Sequence, residues 1–193
     1  MDEPFVEAAG HERVMNISKA LAVWAGRPLD LAVVRHGENL GKFKKAAPRM
    51  TCLLCKRMMY RIAANVAKKE NAHGIVTGES IGQVASQTSQ NLLAIDEACD
   101  IPIFRPLIGF DKTETIALAR RIGTYSLSTG GALASCRAAH RHPTTNASLD
   151  ELKTLEAEMP MSDLSTITSE TLSWKRIFPE HSFRFALCPE QYR

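Results

Sequence analysis

Cys52 and Cys55 stand three residues apart, while the other cysteines, Cys99, Cys136 and Cys188, are scattered along the chain. At the start of a helix this spacing puts both sulfurs on one face, where the helix dipole together with Lys56 and Arg57 favours thiolates. Two thiolates do not complete a metal site, because zinc takes about four ligands and an iron–sulfur cluster usually takes three or four cysteines. Cys136, in a loop expected at another strand end, is a natural third sulfur. The plainer reading is that all three are small, semi-buried residues. His140 and His142 form half a metal site beside Arg141, and a solvated polar loop accounts for them more simply. Met15, Met50, Met58 and Met59 read as core filling, and Cys99 and Cys188 as structural. The other chemically rich stretch is Thr77-Gly78-Glu79-Ser80, directly after the apolar pair Ile75-Val76. Gly78 lets a backbone approach a ligand closely, and its neighbours offer donors and acceptors. In a doubly wound sheet, ligands bind in loops of this kind at the carboxyl ends of strands.

The elements that must hold these residues alternate. Helical periodicity over His11–Ala25 places Val14, Ile17, Ala20, Leu21 and Trp24 on one face, and Gly26-Arg27-Pro28 ends it. Leu29–Arg35 is a short apolar run that predicts a strand buried on both sides. Residues 36–50 read as a basic loop. A helix is expected from Thr51 to Glu70 with Leu54, Met58, Ile62 and Val66 inward, followed by a strand at Gly74–Thr77. Thr88–Cys99 is helical, Ile101–Pro106 a strand, and Asp111–Ile122 a helix stopped by Gly123. An irregular loop carrying Cys136 follows, and then a helix from Ser148 with Glu151 three residues on. This alternation predicts an α/β fold with a doubly wound parallel sheet. Residues 1–159 are expected to form the main domain, and the weakly patterned residues 160–193 a C-terminal appendage.

Composition narrows the function classes. With 45% hydrophobic and 23% charged residues, the chain has material for a packed core. It has no apolar run of about 20 residues to span a bilayer and no secretory leader at its start, which predicts a cytoplasmic protein. The net charge of +3 is unevenly spread. Asn39–Lys69 holds nine Lys or Arg and no acid, and the remaining 15 basic residues face 21 acidic ones. Positive charge concentrated in one segment suits a polyanion such as ATP or RNA, although a solvated basic surface has the same composition.

Three runs are more specific: C-x-x-C-K-R-M-M-Y-R-I-A over Cys52–Ala63, I-V-T-G-E-S-x-G-Q-V-A-S-Q-T over Ile75–Thr88, and R-P-L-I-G-x-D-K over Arg105–Lys112. With Gly123-Thr124-Tyr125 and Cys136 following in order, the chain resembles the C-terminal ATP-pyrophosphatase (PP-loop) domain of the tRNA 4-thiouridine synthetase (tRNA sulfurtransferase, ThiI) family. The resemblance covers roughly Gly10 to Leu152. It implies an adenine-nucleotide α-hydrolase-like sheet and ATP with Mg as cofactor. It puts Lys56, Gly78 and Gln87 at ATP-contacting positions and Cys136 at the catalytic loop cysteine. It further implies that Cys52, Cys55 and Cys136 hold an iron–sulfur cluster, with zinc as the alternative metal. The implied reaction activates the C4 oxygen of a tRNA uridine with ATP and then replaces it by sulfur from a sulfide or persulfide donor. Sulfur transfer for thiamine thiazole formation is a linked role.

The chain departs from the family pattern in one respect: S-G-G-x-D-S, the phosphate loop, does not occur in it. Thr129-Gly130-Gly131 is no substitute, because neither a strand before it nor a helix directly after it is expected. The sheet is therefore expected to be truncated at its N-terminal side, with a homo-oligomer or a partner chain covering the open edge. Two other functional readings compete with the enzyme. One is a non-catalytic module binding RNA or a partner through residues 39–69; the other is a zinc-stabilised structural domain.

Overall fold

The structure, a computed structural model, describes residues 8–130 and 136–180. Cys188 lies outside the described residues. In chain order the elements are α1 (Ala8–Ala25), β1 (Leu29–Val33), α2 (Gly37–Ala46), a 3-10 turn (Pro48–Met50), α3 (Thr51–Lys69), β2 (Ile75–Val76), a second 3-10 turn (Ala85–Gln87), α4 (Ser89–Asp96), β3 (Ile103–Phe104), α5 (Lys112–Arg121), α6 (Tyr125–Thr129), α7 (Leu149–Ala157), α8 (Met161–Glu170) and β4 (Ser173–Ile177). They assemble into two compact units.

The first unit comprises Val34–Asp111 and Cys136–Leu172. Its axis is α3, whose expected inward residues Leu54, Met58 and Ile62 are buried. Leu53 and Tyr60 are buried too, so the helix is covered on more than one face. Phe43 of α2, Ile95 of α4, Leu152 of α7 and Met161 and Leu164 of α8 complete one continuous core. Each large apolar side chain fully buried there contributes about 1.5–3 kcal/mol. Of the methionines read as core filling, Met50 and Met58 are buried, whereas Met59 is 43% exposed. Met59 follows Met58 by one residue, and the helix turns it about 100° away from the core stripe.

Beside α3 lies the parallel ladder β2–β3, with Ile75 opposite Ile103 and Val76 opposite Phe104. Ile75 and Thr77 donate backbone hydrogen bonds to Pro102 and Phe104, both at 2.9 Å. The approach is close enough that a Cβ at Gly74 would lie 2.7 Å from the Phe104 ring. A larger residue there would have to displace that ring. The outer face of this ladder is open, with Val76 70% and Phe104 58% exposed.

The second unit holds α1, β1, α5, α6 and β4. Here β1 differs from the sequence expectation. It pairs antiparallel with β4, Leu29 opposite Ile177 through Val33 opposite Ser173, and takes no part in the parallel ladder. Its residues alternate between half-buried and exposed and are not covered on both sides. The physical reason is visible at Asp30, a carboxylate inside the apolar run that lies 3.9 Å from Arg176 across the ladder. The end of α5 follows its sequence signals. Gly123 takes φ +76° and donates to Arg120, while Thr124 donates to Ala119 at 2.9 Å. This is the left-handed stop that a glycine permits.

Two stretches expected to be irregular are ordered. The basic residues 36–50 form α2 and a 3-10 turn, and residues 160–177 contain α8 and β4. In α2 the apolar signal is only Leu40 and Phe43, three apart and both buried among exposed lysines.

Candidate active site

The sulfur residues sit in the first two turns of α3. Cys52 and Cys55 are half-buried and Cys136 is exposed. Burial, aided by the charges of Cys136 and Cys52 and opposed by Lys56, pushes the Cys55 thiol up to about 12. Cys52 is raised for the same reasons, burial first and Cys136 next. The three sulfurs thus lie close enough to feel one another's charge. The thiolate-favouring environment expected from the sequence is not what the fold builds. Burial outweighs the charge of Lys56, and Arg57 points the other way.

His36 lies against this group, its Nε2 3.3 Å from Cys55 Sγ. The Asn39 amide donates to His36 Nδ1 at 3.3 Å and to Thr168 Oγ1 at 2.8 Å, so it is Nε2–H that faces the sulfur. Burial lowers the His36 pKa to about 4, leaving a neutral imidazole at pH 7. His36 has no partner at recognisable spacing in the sequence and was missed there; only the fold brings residues 36 and 55 together. His140 and His142 serve a turn, the His142 backbone N–H donating to His140 Nδ1 at 3.0 Å. Among the described residues no three His, Cys, Asp or Glu side chains are gathered as a metal ion requires. The chemistry this arrangement offers is that of thiols.

One turn further along α3 the loop after β2 closes over the helix. Glu79 is 6% exposed and gathers four donors: Lys56 Nζ at 2.7 Å, Arg105 Nε at 2.8 Å, Thr77 Oγ1 at 3.3 Å and the Tyr60 hydroxyl. Burial alone would raise its pKa. The hydrogen bonds from Lys56, Tyr60 and Arg105 prevail and hold the carboxylate at about 2. Tyr60 moves the opposite way, pushed up to about 12 by burial and by the adjacent Glu79 charge. Arg105 also grips Asp96. The i, i+4 pair Lys56 and Tyr60 facing T-G-E-S was the available sequence signal for this network.

Lys56 and Gly78, two positions expected to meet ATP, are therefore neighbours, joined through Glu79. A Cβ at Gly78 would meet nothing within 4 Å, so the loop presents open space there. Gln87 lies farther along the same loop, half-buried, its carbonyl accepting from Gly82 N–H at 2.9 Å. The loop is pinned to the turn after β3 by Ile81 N–H to Ile108 O, 3.0 Å, and by the Ser80 hydroxyl to Phe110 O.

Asn91, fully buried, ties the Gln87 segment to the segment that follows Cys136. Its amide donates to Ala85 O at 2.7 Å and Thr144 O at 3.0 Å, and its Oδ1 accepts from Ala147 N–H at 3.0 Å. Thr88 adds a bond to Thr145 O at 2.8 Å. On the opposite side, Arg57 is fully buried and donates to Glu156 at 2.8 and 2.7 Å, to Glu97 at 2.9 Å and to Ala94 O. Residues 56 and 57 differ by 100° of helix rotation, so Lys56 serves the loop and Arg57 the core.

Comparison with known proteins joins these motifs. Residues 1–161 match the family model described as "Thiamine biosynthesis protein (ThiI)". A probable tRNA sulfurtransferase of Methanosarcina mazei is 43% identical over 176 residues, 90% of this chain and 42% of that protein. One of Moorella thermoacetica is 36% identical over 179 residues, 92% of this chain and 46% of that protein. The chain thus spans less than half the length of these relatives. A crystal structure of a 4-thiouridine synthetase–RNA complex with bound ATP superposes with TM-score 0.85 at 34% identity, covering 92% of this chain and 47% of that one. The α/β fold with its parallel ladder is that of the adenine-nucleotide α-hydrolase type expected from the sequence.

Proposed function

The chain belongs to the ThiI family, and we propose that it acts as the ATP-pyrophosphatase and sulfur-transfer part of a cytoplasmic tRNA 4-thiouridine synthetase. The observation carrying this reading is the use made of α3. Its first two turns bear Cys52 and Cys55 within electrostatic reach of Cys136, and Lys56 beside the open Gly78.

In this reading ATP, with Mg, lies against the 77–88 loop. Gly78 gives the nucleotide backbone access, Gln87 supplies a side-chain amide, and Lys56, held by Glu79, supplies positive charge. The C4 oxygen of a tRNA uridine attacks the α-phosphate and pyrophosphate leaves. A sulfur nucleophile then adds to C4, the C4–O bond breaks and AMP departs. With sulfide as donor the second step releases one proton and leaves C4=S. Cys136, exposed where Cys55 is half-buried, is the residue assigned to handle that sulfur. The same carrier role extends to thiazole sulfur in thiamine synthesis, in keeping with the family's description. The open edge of the ladder is proposed to be paired by a second copy or a partner chain.

Pyrophosphate release from ATP, measured with and without tRNA, tests the reading; tRNA-dependent release supports it, and its absence leaves only a binding module. Anaerobic metal analysis decides whether Cys52, Cys55 and Cys136 also hold iron or zinc.

A further inference from the structure

The excess charge of residues 39–69 is not spread evenly over the folded surface. Four of its cations are paired with acids of the same chain, Lys56 with Glu79, Arg57 with Glu97 and Glu156, Arg61 with Glu156 and the exposed Lys68 with Asp100, and Lys69 is exposed at the end of α3. Lys42, Lys44, Lys45 and Arg49 remain on the surface of α2 and the turn after it, all exposed. A second basic segment from far along the sequence joins them. Lys44 Nζ donates to Arg137 O at 3.0 Å, and Thr144 N–H donates to Arg49 O at 3.0 Å. These bonds bring Arg137 and Arg141, both exposed, alongside the four. Lys42, Lys45, Arg49 and Arg141 have no ion pair among the described residues. The acids nearest in sequence and across the adjoining groove are Glu38 and Glu151. Cys136 immediately precedes the second segment.

We propose that the face formed by Lys42, Lys44, Lys45, Arg49, Arg137 and Arg141 is a binding surface for the phosphodiester backbone of a structured RNA, oriented so that the nucleotide to be modified reaches Cys136. This rests on the proposed function and adds to it the surface by which the substrate is held. Exposed cations such as Lys42, Lys45, Arg49 and Arg141, with no ion pair among the described residues, are the pattern of phosphate contacts, which position a nucleic acid without reading its bases. The path from sequence to surface is short. The basic run supplies four residues of the patch, and the segment after the loop cysteine supplies the other two.

The test is a titration of the 193-residue chain with an in vitro transcribed tRNA between about 50 and 300 mM salt, read by fluorescence anisotropy. Each phosphate contact contributes about 0.7 to 0.9 to the slope of log K against log salt. The triple variant Lys45→Gln, Arg49→Gln, Arg141→Gln is expected to lower that slope by about 2 to 3 and to weaken binding roughly a hundredfold near 0.1 M salt. A charge-matched control, Arg27→Gln, Arg121→Gln, Lys175→Gln, is expected to leave both unchanged. An unaltered slope in the first variant overturns the proposal. So does an equal loss in the control, failure of the chain to bind tRNA at all, or displacement of tRNA by polyglutamate as readily as by unlabelled tRNA, the signature of a site for an acidic protein. Pyrophosphate release with an unchanged slope removes this inference alone, whereas tRNA binding through the patch without pyrophosphate release removes the functional reading alone.

Discussion

Replacing Glu79 by Gln is expected to cost stability in a pH-dependent way that identifies the carboxylate as the pin of the 77–88 loop. Glu79 is 6% exposed, and its partners Lys56 and Arg105 have side chains only 19% and 13% exposed. Glutamine keeps the shape but leaves the largely buried Lys56 without its counter-charge and Arg105 with Asp96 alone, a change worth about 3 kcal/mol. The depressed pKa gives a similar figure. Moving from the ordinary 4.5 to about 2 corresponds to about 3 kcal/mol at 1.36 kcal/mol per unit. A carboxylate with its pKa lowered by folding stabilises fully above its unfolded pKa, and the contribution disappears as pH falls through the folded value. The gap between wild type and Glu79→Gln is therefore expected to be full at pH 7, to begin closing below about 4.5 and to vanish near pH 2. Urea unfolding at pH 7, 5 and 3 measures it, and acid effects of Glu97 and Glu156 cancel because both proteins carry them. A gap below about 0.5 kcal/mol at pH 7, the scale of an ordinary surface change, would refute the reasoning, as would a gap of constant size across this range.

Other perturbations probe separate parts of the account. With its thiol pushed up to about 12, Cys55 is expected to alkylate at pH 8 about a thousandfold more slowly than free cysteine, whose pKa is about 8.5; peptide mapping after iodoacetamide checks this, and alkylation at the free-cysteine rate contradicts it. Arg57→Ala strips a fully buried cation from Glu97 and Glu156 and is expected to destabilise by about 3–5 kcal/mol. Arg61→Ala, which leaves Glu156 its Arg57 partner, is expected to cost about 1 kcal/mol in the same denaturation assay. Gly74→Ala is expected to lower stability by about 1–3 kcal/mol because its new Cβ meets the Phe104 ring. Gly78→Ala, with open space around it, is expected to leave the thermal midpoint unchanged while weakening ATP binding.

What the sequence revealed, and what it hid, follows from the range of the forces involved. The boundaries of α3, α4, α5 and α7 were legible because caps and apolar periodicity act within a turn or two. Thr88 and Ser148 cap as their types suggest, accepting from Asn91 and Glu151. The partner of β1 was not legible, because an apolar run fixes that a strand forms but not what it pairs with, and Ser173–Ile177 is mostly polar. The motif residues Lys56, Gly78 and Glu79 do converge. The consequence of convergence was harder to read: Lys56 is engaged by Glu79, and the cysteines are raised by burial although a basic neighbourhood predicts the reverse. His36 and Asn91 carried no local signal at all. His36 meets Cys55 19 positions on, and Asn91 reaches Thr144 and Ala147, 53 and 56 positions on.

The central claim, that Cys136 handles the sulfur delivered to an ATP-activated tRNA uridine, is tested most directly by a nucleoside measurement. A chimera in which this chain replaces the matching region of the Methanosarcina mazei relative would be supplied with ATP, Mg, tRNA and sulfide, and the digested tRNA analysed for 4-thiouridine by mass spectrometry. The account predicts 4-thiouridine from the parent chimera and from Cys99→Ala, and none from Cys136→Ala, which still releases pyrophosphate. Undiminished 4-thiouridine from Cys136→Ala would contradict it.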